Sequence, residues 1–166
     1  MAKEIRCFDY VNHPYERVRE ILTRDALDVF QRATRVAASR ADAVASALHV
    51  QVGTLEVGAE IAISVKGMKE EDPAGRTLAP GTRLHLEWES ARSPRLFPLM
   101  QAELAFYPLT ATETQLDFTG HYLPPLGILG SAIDAAIGHR IAEASVHRFV
   151  ADVADYLRRT LSESKT

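Results

Sequence analysis

The 166-residue sequence predicts an α+β domain in which a curved, one-sided antiparallel sheet is closed by one long C-terminal helix. Three observations carry this reading. From Ser131 to Leu161 the chain holds no proline, is rich in alanine and repeats apolar residues at a helical period. Between Leu48 and Tyr122 the period drops to two, with one side of most segments apolar and the other wet. Two helical stretches separate that series from a lone N-terminal strand. A sheet with one apolar face needs a cover, and the terminal helix is the only element long enough to supply it. The sheet therefore has to curl about that helix.

The elements follow in order. Ile5-Arg6-Cys7-Phe8-Asp9-Tyr10-Val11 alternates and is rich in aromatic and β-branched residues, a strand pattern. It stops at Asn12-His13-Pro14-Tyr15-Glu16, where Pro14 suits the first helical position and Glu16 the positive end of the helix dipole. His13 or Asn12 serves as cap, so His13 reads as a cap or surface residue. Val18, Ile21 and Leu22 give a short amphipathic helix. Arg24 to about Ala47 is a second helix, with Leu27, Phe30, Ala33, Ala37, Ala41 and Val44 near one face. Its arginines alternate with Asp25, Asp28 and Asp42, as a solvated face of mixed sign does.

Leu48, Val50 and Val52 alternate with polar residues, and Val57-Gly58-Ala59 offers a turn into Ala59, Ile61, Ile63 and Val65, a hairpin pattern. Gly67 to Thr82 reads as a long polar surface loop. Leu84, Leu86 and Trp88 form the next inward row. After Ser93-Pro94 and Phe97-Pro98 come Met100, Ala102, Leu104 and Phe106. Pro108 to Thr112 turns the chain into Leu116, Phe118, Gly120 and Tyr122, for five or six strands in all. Pro124 and Pro125 end the last of them. In the closing helix Ile133, Ile137, Ile141, Phe149, Val153 and Leu157 lie on one i, i+4 ladder, with Ser145 its polar rung. That helix is roughly 45 Å long, against a radius of gyration of about 15 Å for a globule of this size. It has to cross the whole domain.

Residues 1–166 are expected to form a single domain, with 46% hydrophobic and 25% charged residues as in ordinary soluble proteins. A net charge of −3 gives no electrostatic reason to expect nucleic acid or anionic lipid surfaces. Cys7 is the single cysteine, so no internal disulfide forms and a reducing cytoplasm fits. The N-terminus lacks the apolar core of a secretory signal, and the uncharged stretch around Tyr122–Ile133 is too short and too rich in Pro and Gly to span a bilayer. No Ser-His-Asp spacing, Gly-rich phosphate loop or CxxC motif is present, and no cofactor is expected. His139 and His147 are eight residues apart, roughly 12 Å along a helix, too far to share a metal, so none is expected.

The order of elements resembles the helix-grip fold of the START-like, or SRPBCC (polyketide cyclase-like), superfamily. The resemblance rests on the opening strand ending in Val11-Asn12-His13-Pro14 with Val18 in the helix, on the strand series, and on the closing helix after Tyr122-Leu123-Pro124-Pro125. It covers about residues 3–161, although the second helix is longer than is usual there. The resemblance implies a deep, largely apolar cavity between sheet and helix. Members bind lipids, sterols, polyketides or plant hormones, and some cyclise or hydrate them.

On that reading the wall residues are Trp88, Met100, Leu104, Phe106, Phe118 and Tyr122 from the strands, with Ile133 and Ile137 from the helix. Gly120 removes side-chain volume where a ligand or the helix backbone can approach. Leu126 and Leu129, with Ile128, would make an apolar lip. Asp134 and Arg140 border the helical stripe and are candidates to hydrogen-bond a ligand's polar head. His121 shares a strand face with Asp117, but by the alternation that face points outward. Three functions stay open: binding of a hydrophobic or amphipathic small molecule, a cyclase or hydratase acting on one, and a protein-interaction module with a filled core, presenting an apolar patch around Leu126–Leu129 or Leu96–Leu99. The sequence assigns no catalytic residue, protein partner or oligomeric state.

Overall fold

The structure, a computed structural model, describes residues 3–47, 61–71, 81–90, 99–122 and 132–164. Strand β1 (Lys3–Val11) is followed by helices α1 (Tyr15–Arg24) and α2 (Ala26–Ala47). Four strands come next, β2 (Ile61–Glu71), β3 (Gly81–Ser90), β4 (Leu99–Thr110) and β5 (Glu113–Tyr122), and helix α3 (Ala132–Glu163) closes the order. Among the described residues the strands form one antiparallel sheet in the order β1-β5-β4-β3-β2, in which β1 pairs with β5 and β1 and β2 lie at the two ends. Register shifts at Val65/Gly67, Leu99/Gln101 and Pro108/Thr110 mark bulges, the device that bends a sheet and increases its twist.

Several boundaries depart from the sequence reading. Gly67–Glu71, expected in a loop, continues β2 opposite Gly81–His85, because cross-strand pairing with β3 outweighs the polar composition. The hairpin expected from Leu48 to Ala59 lies outside the described residues. Helix α1 begins one residue later than expected: Pro14 is extended and acts as the cap, its carbonyl accepting from Arg17 N at 3.0 Å and Val18 N at 3.2 Å. His13 is consequently neither cap nor surface. It is buried, its carbonyl accepts from Thr114 Oγ1 at 2.8 Å, and its Nε2 lies 3.4 Å from Ser162 Oγ. Leu27 points to solvent, since the buried face of α2 begins at Val29 and Phe30.

The cover over the sheet is a pair of helices rather than α3 alone. Helix α3 lies along β1 and reaches β5, while α2 lies against α3 on one side and β2 on the other. The inner face of α2 is Phe30, Ala33, Thr34, Ala37, Ala38 and Ala41, mostly methyl-sized, which lets the two helix axes approach closely. Arg32 ties them from the rim, its Nη2 3.2 Å from Asp152 and its guanidinium 4.5 Å from the Tyr156 ring centroid. The α3 ladder is buried from Ile141 through Phe149, Val153 and Leu157 as expected. Its polar rung Ser145 is satisfied by donating to the Ile141 carbonyl at 2.7 Å.

Candidate functional site

Strand register arranges the concave face of the sheet in rows. Leu84, Leu104, Phe118 and Cys7 are Cα partners across β3, β4, β5 and β1. One step along, Leu86, Ala102, Gly120 and Ile5 form the next row. Beyond it stand Trp88 on β3 and Tyr122 on β5, both buried. The middle row therefore drops to a methyl group and a hydrogen in the two central strands, between rows of full-sized side chains.

The space above these rows is filled in part. Phe149 of α3 sits 5.5 Å from Trp88, 5.6 Å from Phe118 and 6.1 Å from Phe30, ring centroid to centroid. Phe106 packs on Tyr15 at 5.9 Å. At the level of Phe149 the interior is thus a cluster of four rings. Trp88 is fixed there by donating its indole N–H to Thr34 Oγ1 at 2.9 Å, while Thr34 in turn donates to the Phe30 carbonyl at 2.7 Å.

Polar atoms on the concave face fall into two kinds. Trp88 and Thr82 find buried partners, Thr82 Oγ1 meeting the Tyr15 hydroxyl at 2.7 Å. Tyr122 and Cys7 are instead met by exposed histidines of α3. The Tyr122 hydroxyl is 2.8 Å from His139 Nδ1, and Cys7 Sγ is 3.4 Å from His147 Nδ1. Burial raises the Tyr122 phenol above its ordinary range, so it is a neutral donor. The hydroxyl can donate to Nδ1 or accept from it, according to the tautomer of the ring. Burial, then the charge of Asp9, pushes the Cys7 thiol up to about 11, so it is no nucleophile at neutral pH. Among the described residues no cluster of three or more His, Cys, Asp or Glu is arranged to hold a metal.

The expected site residues distribute as follows. Trp88, Leu104, Phe106, Phe118, Gly120 and Tyr122 share the concave face. The side chains of Met100, Ile133, Asp134 and Ile137 lie outside the described residues, as do Leu96, Leu126, Leu129 and the rest of 123–131. Arg140 is exposed and lines a groove between α2 and α3. One residue before Ile141, it is turned about 100° from the buried ladder. His121 faces out, 3.8 Å from Glu4, and Asp117 accepts from Tyr107 and Gln115 on the same convex side. His139 was not legible as a partner of Tyr122. They are seventeen residues apart in sequence, and no spacing rule connects a strand to a helix packed over it.

No family model matches the chain, and no curated protein does. Among solved structures it is similar to the Zhui aromatase/cyclase of Streptomyces sp. R1128 at 15% identity, over 97% of this chain and 96% of that one, with a TM-score of 0.48. It is also similar to a protein of Thermus thermophilus at 12% identity, over 95% and 99% of the two chains, TM-score 0.46. A third is norcoclaurine synthase of Thalictrum flavum, solved with dopamine and hydroxybenzaldehyde, at 11% identity over 100% and 90%, TM-score 0.43. The chain's own geometry is the helix-grip architecture that the START-like resemblance implies: a bent antiparallel sheet, two helices inserted after its first strand, and a long C-terminal helix laid across it.

Proposed function

We propose that the protein binds a hydrophobic or amphipathic small molecule, of lipid, sterol or polyketide-like character, against the Ala102–Gly120 level of the concave face. The observation that carries this is the low row itself, with the buried Tyr122 hydroxyl and its His139 partner one step along β5. A low apolar row beside a buried hydroxyl suits a ligand that is mostly hydrocarbon with one oxygen to orient. Each 100 Å² of apolar ligand surface buried there contributes about 2.5 kcal/mol before ordering costs.

Native mass spectrometry after gentle purification, and competition with a fluorescent fatty acid, test the reading. Wild type should retain or bind one molecule, and Gly120→Leu, which refills the trough, should abolish binding. Tyr122→Phe should weaken ligands bearing a carbonyl or hydroxyl about tenfold, the value of a hydrogen bond of about 1.4 kcal/mol, and leave plain hydrocarbons unaffected. No bound molecule, together with unchanged probe behaviour in Gly120→Leu, would sink the proposal.

The Tyr122–His139 pair also favours a second reading, a cyclase or hydratase on such a ligand. Tyr122 would donate its proton to a carbonyl oxygen while a water molecule takes the α-proton. The phenolate would recover that proton from the water by relay through the His139 ring, so that the enol forms with no net proton consumed. Turnover of a poly-β-ketone probe lost in both Tyr122→Phe and His139→Ala, with binding retained, would separate catalysis from binding.

A further inference from the structure

Helices α2 and α3 border a groove of about 840 Å³ that opens to solvent, and its lining includes His147, whose Nδ1 meets Cys7. Each helix gives it one continuous stripe at spacings of three and four: residues 36 to 44 from α2 and 140 to 151 from α3. Val36, Ala43 and Val44 of α2 and Ala144 and Ala151 of α3 are the apolar part of its lining. Their small size leaves open what larger side chains at the same positions would fill. Arg40, Arg140 and Arg148 stand around them, against one acid, Glu143. None of the three arginines makes an ion pair or side-chain hydrogen bond within the described residues, whereas Arg19, Arg24, Arg32, Arg83 and Arg158 all do. A chain of net charge −3 thus gathers unpaired guanidinium groups over an apolar floor.

We propose that this groove binds a small amphipathic anion, a single alkyl chain ending in a carboxylate or phosphate. The guanidinium forks would hold the head by paired N–H···O bonds, and the valine and alanine floor would hold the chain. The volume suits one such molecule. The site is separate from the Ala102–Gly120 trough and stands whether or not that trough is occupied.

Isothermal titration with dodecanoate, dodecyl phosphate, dodecanol and inorganic phosphate, all below their micellar limits, tests it. The two alkyl anions should each bind, with dodecanol and inorganic phosphate at least tenfold weaker. Arg140→Ala and Arg148→Ala should each lower affinity for the anions about tenfold, and Ala144→Trp should block the groove. None of the three positions is buried, and circular dichroism should report unchanged folding. Dodecanol binding as tightly as dodecanoate would overturn the role of the arginines, and inorganic phosphate binding as tightly as dodecyl phosphate would overturn the role of the floor. Binding that survives Ala144→Trp but fails in Gly120→Leu would place the anion in the interior and refute the groove.

Discussion

Truncating Phe149 to alanine tests the filled part of the interior. The ring is wholly shielded from solvent and is centred between Phe30, Trp88 and Phe118, at 5.5–6.1 Å from each. A buried Phe→Ala substitution costs about 3–5 kcal/mol, from lost transfer free energy plus the volume left empty. Three ring contacts, each worth about 0.5–1.5 kcal/mol beyond area in favourable geometry, place this case near about 5 kcal/mol. Trp88 is the single tryptophan and meets the ring edge-on, so its fluorescence reports both local packing and global unfolding. With a urea slope of about 2 kcal/mol per M, the midpoint should fall by about 2.5 M. Phe149→Leu, which keeps most of the volume, should cost about 1.5 kcal/mol. An alanine variant that loses less than about 1.5 kcal/mol would mean the ring already borders open space, and the argument for a plugged centre would fail.

Two further outcomes can be read from stability alone. The Cys7 thiol sits at about 11 in the fold against an ordinary 9.0, so the unfolded chain gives up that proton first. Its contribution is complete below pH 9 and is lost as pH rises toward 11. Urea midpoints between pH 8 and pH 11 should therefore fall more steeply for wild type than for Cys7→Ala, and parallel declines would remove the thiol from the account. Arg32 couples α2 to α3 through Asp152 and lies over Tyr156. Arg32→Lys should cost about 1 kcal/mol, since an ammonium keeps the charge but neither the fork nor the flat stacking surface. A double-mutant cycle with Asp152→Asn that comes out additive would show the pair to be uncoupled.

Much of the fold was legible because it depends on local periodicity. The alternation of Leu84, Leu86 and Trp88, and of Leu116, Phe118, Gly120 and Tyr122, fixes which side chains go inside whatever the strands pair with. The same holds for the α3 ladder, where a buried Ser145 could be recognised as one rung among apolar ones. Local pattern failed where pairing partners decided the outcome. Gly67–Glu71 looks like a loop by composition and is a strand because β3 lies beside it. His13 looks like a cap and is buried because β5 and the end of α3 close over it.

The sequence by itself determined the two periods, hence the strands, the helices and the inward rows, since the pitch of a backbone sets which side chains share a face. Only the tertiary structure decided what those rows meet: Phe149 wedged against Trp88 and Phe118, His139 brought to Tyr122, and Arg140 carried out to a groove with Arg40 and Arg148. The reason is physical. Side-chain direction is a local property of the chain, whereas proximity between residues far apart in sequence is set by how sheet and helices pack, and no pattern within one element encodes it.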